Sequence, residues 1–344
     1  MRRLTLFIGT FFMAFSTAAQ HRDFSKLDKV LVDYEKQKTV MGSIAFSENG
    51  VKTYTRAFGF SQRSTQTKAD TLTKYRIGSV SKMLTATMIL QTIAEGKLGL
   101  GDKLSRFFPT WPNASKITME HLLRHESGLY NFGNSREKKY QNLNPKSRAE
   151  IMAVFEKAPI AFASGKKVDY NNANYVVLSL IIEAIDKTTF AESLRARIIE
   201  PLSIKNTHAG GPIDAAQNEA SSYFWKNKWL ENGDFYTPGL LGAGALVSTP
   251  NDLNVFLHAL FTHKMLGEAQ LRAMMHVKTG MGLGLYALPF YGKTAYGHAG
   301  NIDAFESFAA YFPEEKVAFS ICLNGNRKDF NEVLLACLRA CFGY

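Results

Sequence analysis

Strand-type patterning stands at both ends of this chain and helix-type patterning fills the middle, an order that few folds accommodate. A helical run comes first, at 24–34, with Leu27, Val30, Leu31 and Tyr34 on one face. Two strand-like segments, 42–46 and 51–58, then flank Asn49-Gly50, a strong hairpin turn signal. From Ser79 to about Phe235 the pattern is mostly helical, over 80–94, 118–124, 149–155, 174–185 and 191–199. Strands return at 244–248, 282–287, 294–297, 304–311 and 317–323, interrupted by helices at 251–261 and 267–275. A helix over 329–341 closes the chain. This order predicts an α+β architecture: one antiparallel sheet built from both ends, flanked by N- and C-terminal helices, with a mostly helical region inserted. The sheet region is expected at about 24–76 and 242–344, the helical region at about 77–235. No repeat and no Pro/Ser-rich linker separates them. A cleft is expected at their seam.

Residues 1–19 read as a secretory signal. Arg2 and Arg3 precede an apolar stretch at 4–15, and Ser16-Thr17-Ala18-Ala19 offers small residues for cleavage. The apolar stretch is short for a bilayer span, although an uncleaved anchor is the alternative. The mature chain, 20–344, is therefore expected to be one domain, periplasmic or secreted, touching a membrane only through the signal segment before cleavage. Losing the two arginines lowers the formal charge by two, from +11 to +9. The basic residues are scattered (Lys36 and Lys38, Lys138 and Lys139, Lys166 and Lys167), and no nucleic-acid motif accompanies them. Nucleic acid is thus excluded as a partner, and a solvated basic surface is favoured over one built for anionic polymers. Three cysteines make no disulfide framework. Cys337 and Cys341 fall on the apolar stripe of the last helix, and Cys322 lies in an apolar strand, so all three read as core.

Ser79-Val80-Ser81-Lys82 stands where a long apolar helix begins. Residues three apart share a helix face, which puts an amine beside the hydroxyl. Serine is a weak nucleophile without a neighbouring base, and lysine can be that base if burial and nearby cations keep it neutral. The tetrad recurs at Ser135–Lys138 and Ser164–Lys167, but in polar, loop-like sequence. Only Ser79 has Gly78 before it and an amphipathic helix after it.

Tyr170-Asn171-Asn172 precedes another apolar helix. A tyrosine there could project into a cleft and shuttle protons if cations lower its pKa, and the Asn172 amide can both donate to and accept from a substrate. Tyr140-Gln141-Asn142 has the same spacing but no apolar helix after it. His298-Ala299-Gly300 follows the short strand at 294–297, and its small residues would let a substrate lie along the strand edge. Backbone N–H groups at such an edge can hold an oxyanion. His208-Ala209-Gly210 is its decoy.

The three motifs in this order resemble the serine β-lactamase and penicillin-binding protein superfamily. The likeness is nearest to its class C-like branch, with class C β-lactamases, D-aminopeptidases, D-Ala-D-Ala carboxypeptidases and related esterases. Tyr75-Arg76-Ile77-Gly78, the stretch from His121 to Leu129, that from Pro201 to Thr207 and that from Gly244 to Leu253 also resemble that branch. The resemblance implies a β-lactamase/transpeptidase-like fold and an exported, cofactor-free serine hydrolase working through an acyl-enzyme. Its substrates would be small amides or esters, among them cell-wall-derived D-amino-acid peptides or β-lactams. It further implies that Ser79 is acylated, that Lys82 and Tyr170 share the base and acid roles, and that Asn172 holds the substrate amide. The backbone N–H groups of Ser79 and Asn301 would form the oxyanion hole, with Gly300 and His298 lining the substrate. His298 stands where penicillin-hydrolysing relatives usually carry lysine. A mostly neutral imidazole gives a substrate carboxylate no fixed cation, so efficient β-lactam hydrolysis is not expected. His298→Lys is expected to shift preference toward carboxylates by only about 1 kcal/mol at a wet cleft mouth. The alternatives are a penicillin- or peptidoglycan-binding protein with little or no turnover, and a non-catalytic adhesin, for which no feature speaks.

Three further features are set aside. His121 and His125 have zinc-compatible spacing, but no third ligand is evident, and metal is not expected. Gly280, Gly282 and Gly284 fit a strand with close backbone approach better than a phosphate loop. Trp225 and Trp229 are read as the apolar face of a short element rather than a cleft lining.

Overall fold

The computed structural model describes residues 22–131, 147–234 and 238–344. The expected signal segment, the Ser135 tetrad and the Tyr140 decoy lie outside them.

Strands from both ends form one sheet. Its order runs Tyr286–Phe290, Lys293–Ile302, Phe305–Phe312, Val317–Asn326, Val40–Glu48, Val51–Phe58, each pair antiparallel. Asn49 and Gly50, at φ +50° and +78°, make the hairpin turn that the sequence announced. Packing on both faces explains why residues 317–323 are apolar at every position except Ser320. Val317, Phe319, Ile321 and Leu323 point to the helices Ser25–Gln37 and Phe330–Phe342, and Ala318 and Cys322 point to the opposite core. Each large buried side chain there contributes about 1.5–3 kcal/mol. The three cysteines are buried free thiols in these two cores.

The opposite face carries the helix Pro250–Phe261 and, beyond it, the helical region built on Ser81–Ala94 and Asn172–Asp186. Both of these helices are apolar nearly all round and correspondingly buried. A small sheet of Tyr75–Arg76, Leu246–Ser248 and His208–Ala209 ties the two regions together.

Three local expectations are corrected. The strand expected at 282–287 is instead Tyr286–Phe290. Gly282 N–H donates to Leu285 O at 2.9 Å and Gly284 has φ +83°, so this stretch is a turn packed under the helix Glu268–Met275. A Cβ on Gly282 would stand 2.3 Å from Met274 O, so close approach is real although the strand is not. His298-Ala299-Gly300 lies inside the strand Lys293–Ile302 rather than after it. Residues 195–199 leave α-helical geometry for a π-turn before Pro201. Trp225 and Trp229 sit in a small hairpin, Tyr223–Trp225 and Trp229–Glu231, with edge-to-face rings and Arg327 3.6 Å over Trp225. Among the described residues no helix is long and apolar enough to cross a membrane.

Candidate active site

Ser79 occupies a tight turn, Gly78–Val80, that runs directly into the helix Ser81–Ala94. Gly78 has φ +49°, and a Cβ there would stand 2.9 Å from the backbone N of Asn301. Gly300 makes the reciprocal approach, since its Cβ would lie 2.1 Å from Ile77 O and 2.5 Å from Ser307 Oγ. Two missing side chains thus let the turn and the strand Lys293–Ile302 interlock, setting Asn301 beside the segment that carries Ser79. Gly300, expected along the substrate, is buried against that turn.

Lys82 is fully buried one helical step below Ser79. Its Nζ lies 3.0 Å from Ser79 Oγ, 2.8 Å from Asn172 Oδ1 and 2.6 Å from Ala243 O. Burial holds the amine well below the usual lysine range. A neutral amine has two N–H donors and one lone pair. Asn172 Oδ1 and Ala243 O can only accept, so the lone pair is left for the Ser79 hydroxyl. The same bond fixes the Asn172 amide with its NH₂ left for another partner.

Tyr170 reaches this pair from the loop before the helix Asn172–Asp186. Asn171 caps that helix, accepting from Ala173 N–H at 2.8 Å and donating to Leu129 O at 2.6 Å. The Ser79 hydroxyl acts to lower the phenol's pKa, and Lys82 Nζ lies 4.9 Å from the ring centroid. Burial outweighs that pull and pushes the phenol above its usual range. The expectation that cations would lower Tyr170 is therefore corrected: burial raises it, and the lowering influence is the Ser79 hydroxyl rather than a cation. A depressed amine and an elevated phenol leave Lys82 able to accept a proton and Tyr170 able to give one at neutral pH.

His298 is 4% exposed, not at a wet mouth. Its ring lies 5.0 Å from Tyr286 and 6.1 Å from Tyr170, and its Nδ1 lies 2.5 Å from Ala299 O. Burial, and then Lys82 once acid protonates it, push the imidazole down to about 3. The expected small effect of His298→Lys is revised accordingly: a lysine there would be desolvated beside Lys82, where exposed-pair screening does not apply.

Sequence reasoning missed three partners. His125, weighed only as a metal ligand, sits at φ +60° and stacks on Tyr170 with centroids 4.5 Å apart. Asn171 N–H, Asn171 O and the Asn174 amide lie 2.9, 3.1 and 3.2 Å from its Nδ1, and burial is the main cause that keeps the ring neutral. Ala243 O and Tyr286 carry no chemical signature at all in sequence. His121 caps its own helix through Thr118 N–H at 3.3 Å, so the two imidazoles do not converge. Among the described residues no group of three or more potential metal ligands converges. The decoys are engaged elsewhere: Ser164 Oγ donates to Ser127 O at 3.0 Å, and His208 pairs with Glu219 at 3.1 Å.

The two buried imidazoles make stability depend on pH. Burial holds His125, like His298, well below its ordinary value. Below about pH 6.5 the unfolded chain therefore takes up protons that the folded chain refuses, so stability falls as pH falls, down to about 3 for His298. Its share of the loss is roughly 2–3 kcal/mol by pH 4.5, at ~1.4 kcal/mol per unit. Urea midpoints between pH 7.5 and 4.5 should drop accordingly, and His298→Gln should flatten part of that slope. A slope identical in the variant would show that His298 is not held neutral.

The seven candidate site residues stand in the turn Gly78–Val80, the start of the helix Ser81–Ala94, the junction into the helix Asn172–Asp186 and the strand Lys293–Ile302. The β-lactamase family model matches residues 24–340. A teichoic acid D-alanine hydrolase of Staphylococcus aureus is 26% identical over 320 residues, covering 90% of this chain and 75% of that protein. A D-amino acid amidase from Ochrobactrum anthropi superposes with a TM-score of 0.79 at 23% identity, covering 92% of this chain and 98% of that one. A penicillin-binding protein homologue from Pyrococcus abyssi gives 0.80 at 23% identity, over 93% and 78% of the two chains. With the family model matched across nearly all of the described fold, the chain belongs to the β-lactamase family of serine hydrolases.

Proposed function

We propose that this protein is an exported hydrolase that cleaves small D-amino-acyl esters or amides through an acyl-enzyme on Ser79. The observation that carries the reading is the buried Lys82 amine, 3.0 Å from Ser79 Oγ and held below its ordinary pKa. In the proposed reaction Ser79 Oγ attacks the carbonyl carbon while its proton passes to Lys82 Nζ. The resulting oxyanion is held by the Ser79 and Asn301 N–H groups. As the bond to the leaving group breaks, Tyr170 supplies its proton and recovers one from Lys82. Water then attacks the acyl-enzyme by the reverse relay and frees Ser79.

The choice of acyl group draws on two relatives whose names specify D-alanine and D-amino acid substrates. Export, to the periplasm or outside the cell, draws on the signal-like residues 1–19 ahead of the 20–344 domain. The neutral His298 supports substrates that lack a carboxylate beside the scissile bond.

A hydrolysis panel tests this reading. A D-alanyl ester and D-alanyl anilide should exceed a chromogenic cephalosporin in kcat/KM by at least about tenfold, the scale of one missing charge contact. His298→Lys should depress the whole panel rather than shift preference, because the new amine is buried beside Lys82. Efficient cephalosporin turnover by the unmodified protein would refute the substrate assignment.

A further inference from the structure

We infer that Arg76 is a positioning residue for the oxyanion-binding backbone, tying the turn that follows Asn301 to the segment that precedes Ser79. The inference rests on the reading of Ser79 as the acylated residue.

Arg76 lies in the two-residue strand Tyr75–Arg76, paired with Val247, and its side chain is 6% exposed. Burying a guanidinium is costly unless its donors are answered. Three of its five are answered here: Nη1 donates to Asp303 Oδ2 at 2.8 Å, and Nη2 donates to Gly211 O at 3.0 Å and to Asp234 Oδ1. Asp303 and Ala304 form the two-residue turn joining the strands Lys293–Ile302 and Phe305–Phe312. Both have left-handed φ, +49° and +61°, a conformation that Asn-Gly adopts easily and alanine does not. The turn is thus held by its contacts rather than by its own preference. One contact is the Arg76 bond, and another is Ser222 Oγ donating to Asp303 O.

The arrangement closes a loop through the reaction centre. Arg76 stands just before Ile77-Gly78-Ser79, and Asp303 just after Asn301-Ile302. Ser307 Oγ, donating to Ile77 O at 2.8 Å, is a second tie between the same two segments. The two backbone N–H groups proposed to hold the oxyanion therefore sit on separate pieces of chain that these bonds clamp together. Such donors must meet the developing oxyanion within a few tenths of an ångström, and a displacement of about 1 Å costs on the order of 100-fold in rate.

The test uses the full chain with a nitrophenyl D-alanyl ester and with phenylboronic acid, whose tetrahedral serine adduct places an oxygen where the oxyanion would stand. Arg76→Met should lower kcat by roughly 100-fold, and Asp303→Asn by roughly tenfold, with KM within about twofold. Boronate affinity should weaken in proportion, and Arg76→Lys should recover part of the Arg76→Met loss. Should Arg76→Met not fold, Asp303→Asn decides, since it keeps the shape of the turn and one acceptor oxygen. The inference is overturned if Asp303→Asn and Arg76→Lys keep kcat and boronate affinity within about threefold of the parent. It is equally overturned if the losses appear only in KM. A parent enzyme whose Ser79 is not acylated would sink the underlying reading instead, and labelling with a fluorophosphonate separates the two failures.

Discussion

Lys82→Ala and Tyr170→Phe should each remove nearly all activity, by roughly 10³-fold, while the double variant falls little further than the worse single one. The reason lies in the opposed titrations of the two groups. Burial depresses the Lys82 amine and raises the Tyr170 phenol; Lys82 Nζ lies 3.0 Å from Ser79 Oγ and 4.9 Å from the Tyr170 ring centroid. One proton therefore has a single route in each half-reaction: from Ser79 to Lys82, then through Tyr170 to the leaving group. Breaking the route at either end stops the same step, so the second break finds little left to remove. Values of kcat/KM for the four proteins on one ester decide the matter. Losses that multiply, to about 10⁶, would mean that the two side chains act in separate steps.

The order of elements was legible because periodicity changes sharply at both seams. The strands Val51–Phe58, Phe305–Phe312 and Val317–Asn326 came through with correct type and nearly correct ends, since branched and aromatic runs were bounded by turn residues. The segment around Gly282 did not. Its alternation of glycine with Met281, Leu283 and Leu285 imitates a strand, yet those glycines serve a turn against Met274 O. Tertiary contact, not local pattern, decides there.

The candidate site was legible where chemistry and position coincide in one motif. Ser79 and Lys82 share a helix turn, and Tyr170 and Asn172 stand at a helix start, so local sequence places both pairs. Burial was not legible. The sequence shows a histidine at 298 but not that it is enclosed, nor that burial rather than neighbouring charge governs Tyr170. His125 escaped because its role depends on stacking across 45 residues of chain, from 125 to 170, which no spacing rule encodes. Arg76 stands in the sequence only as part of the family-like stretch Tyr75–Gly78, and its role depends on three acceptors that converge on it from distant loops.

Ser79→Ala should carry the largest loss, roughly 10⁴-fold or more in turnover, because no other group can form the acyl bond. The fold should survive, since Ser79 is only partly buried and its loss opens no core cavity. The variant must therefore keep the parent's thermal midpoint while losing its rate. The most direct measurement is peptide mapping by mass spectrometry after reaction with a fluorophosphonate or a slowly turned-over penicillin. The expected result is a single adduct, on the peptide containing Ser79, absent from Ser79→Ala. An adduct at Ser135 or Ser164, or one that persists in the alanine variant, would contradict the assignment of Ser79 as the acylated residue.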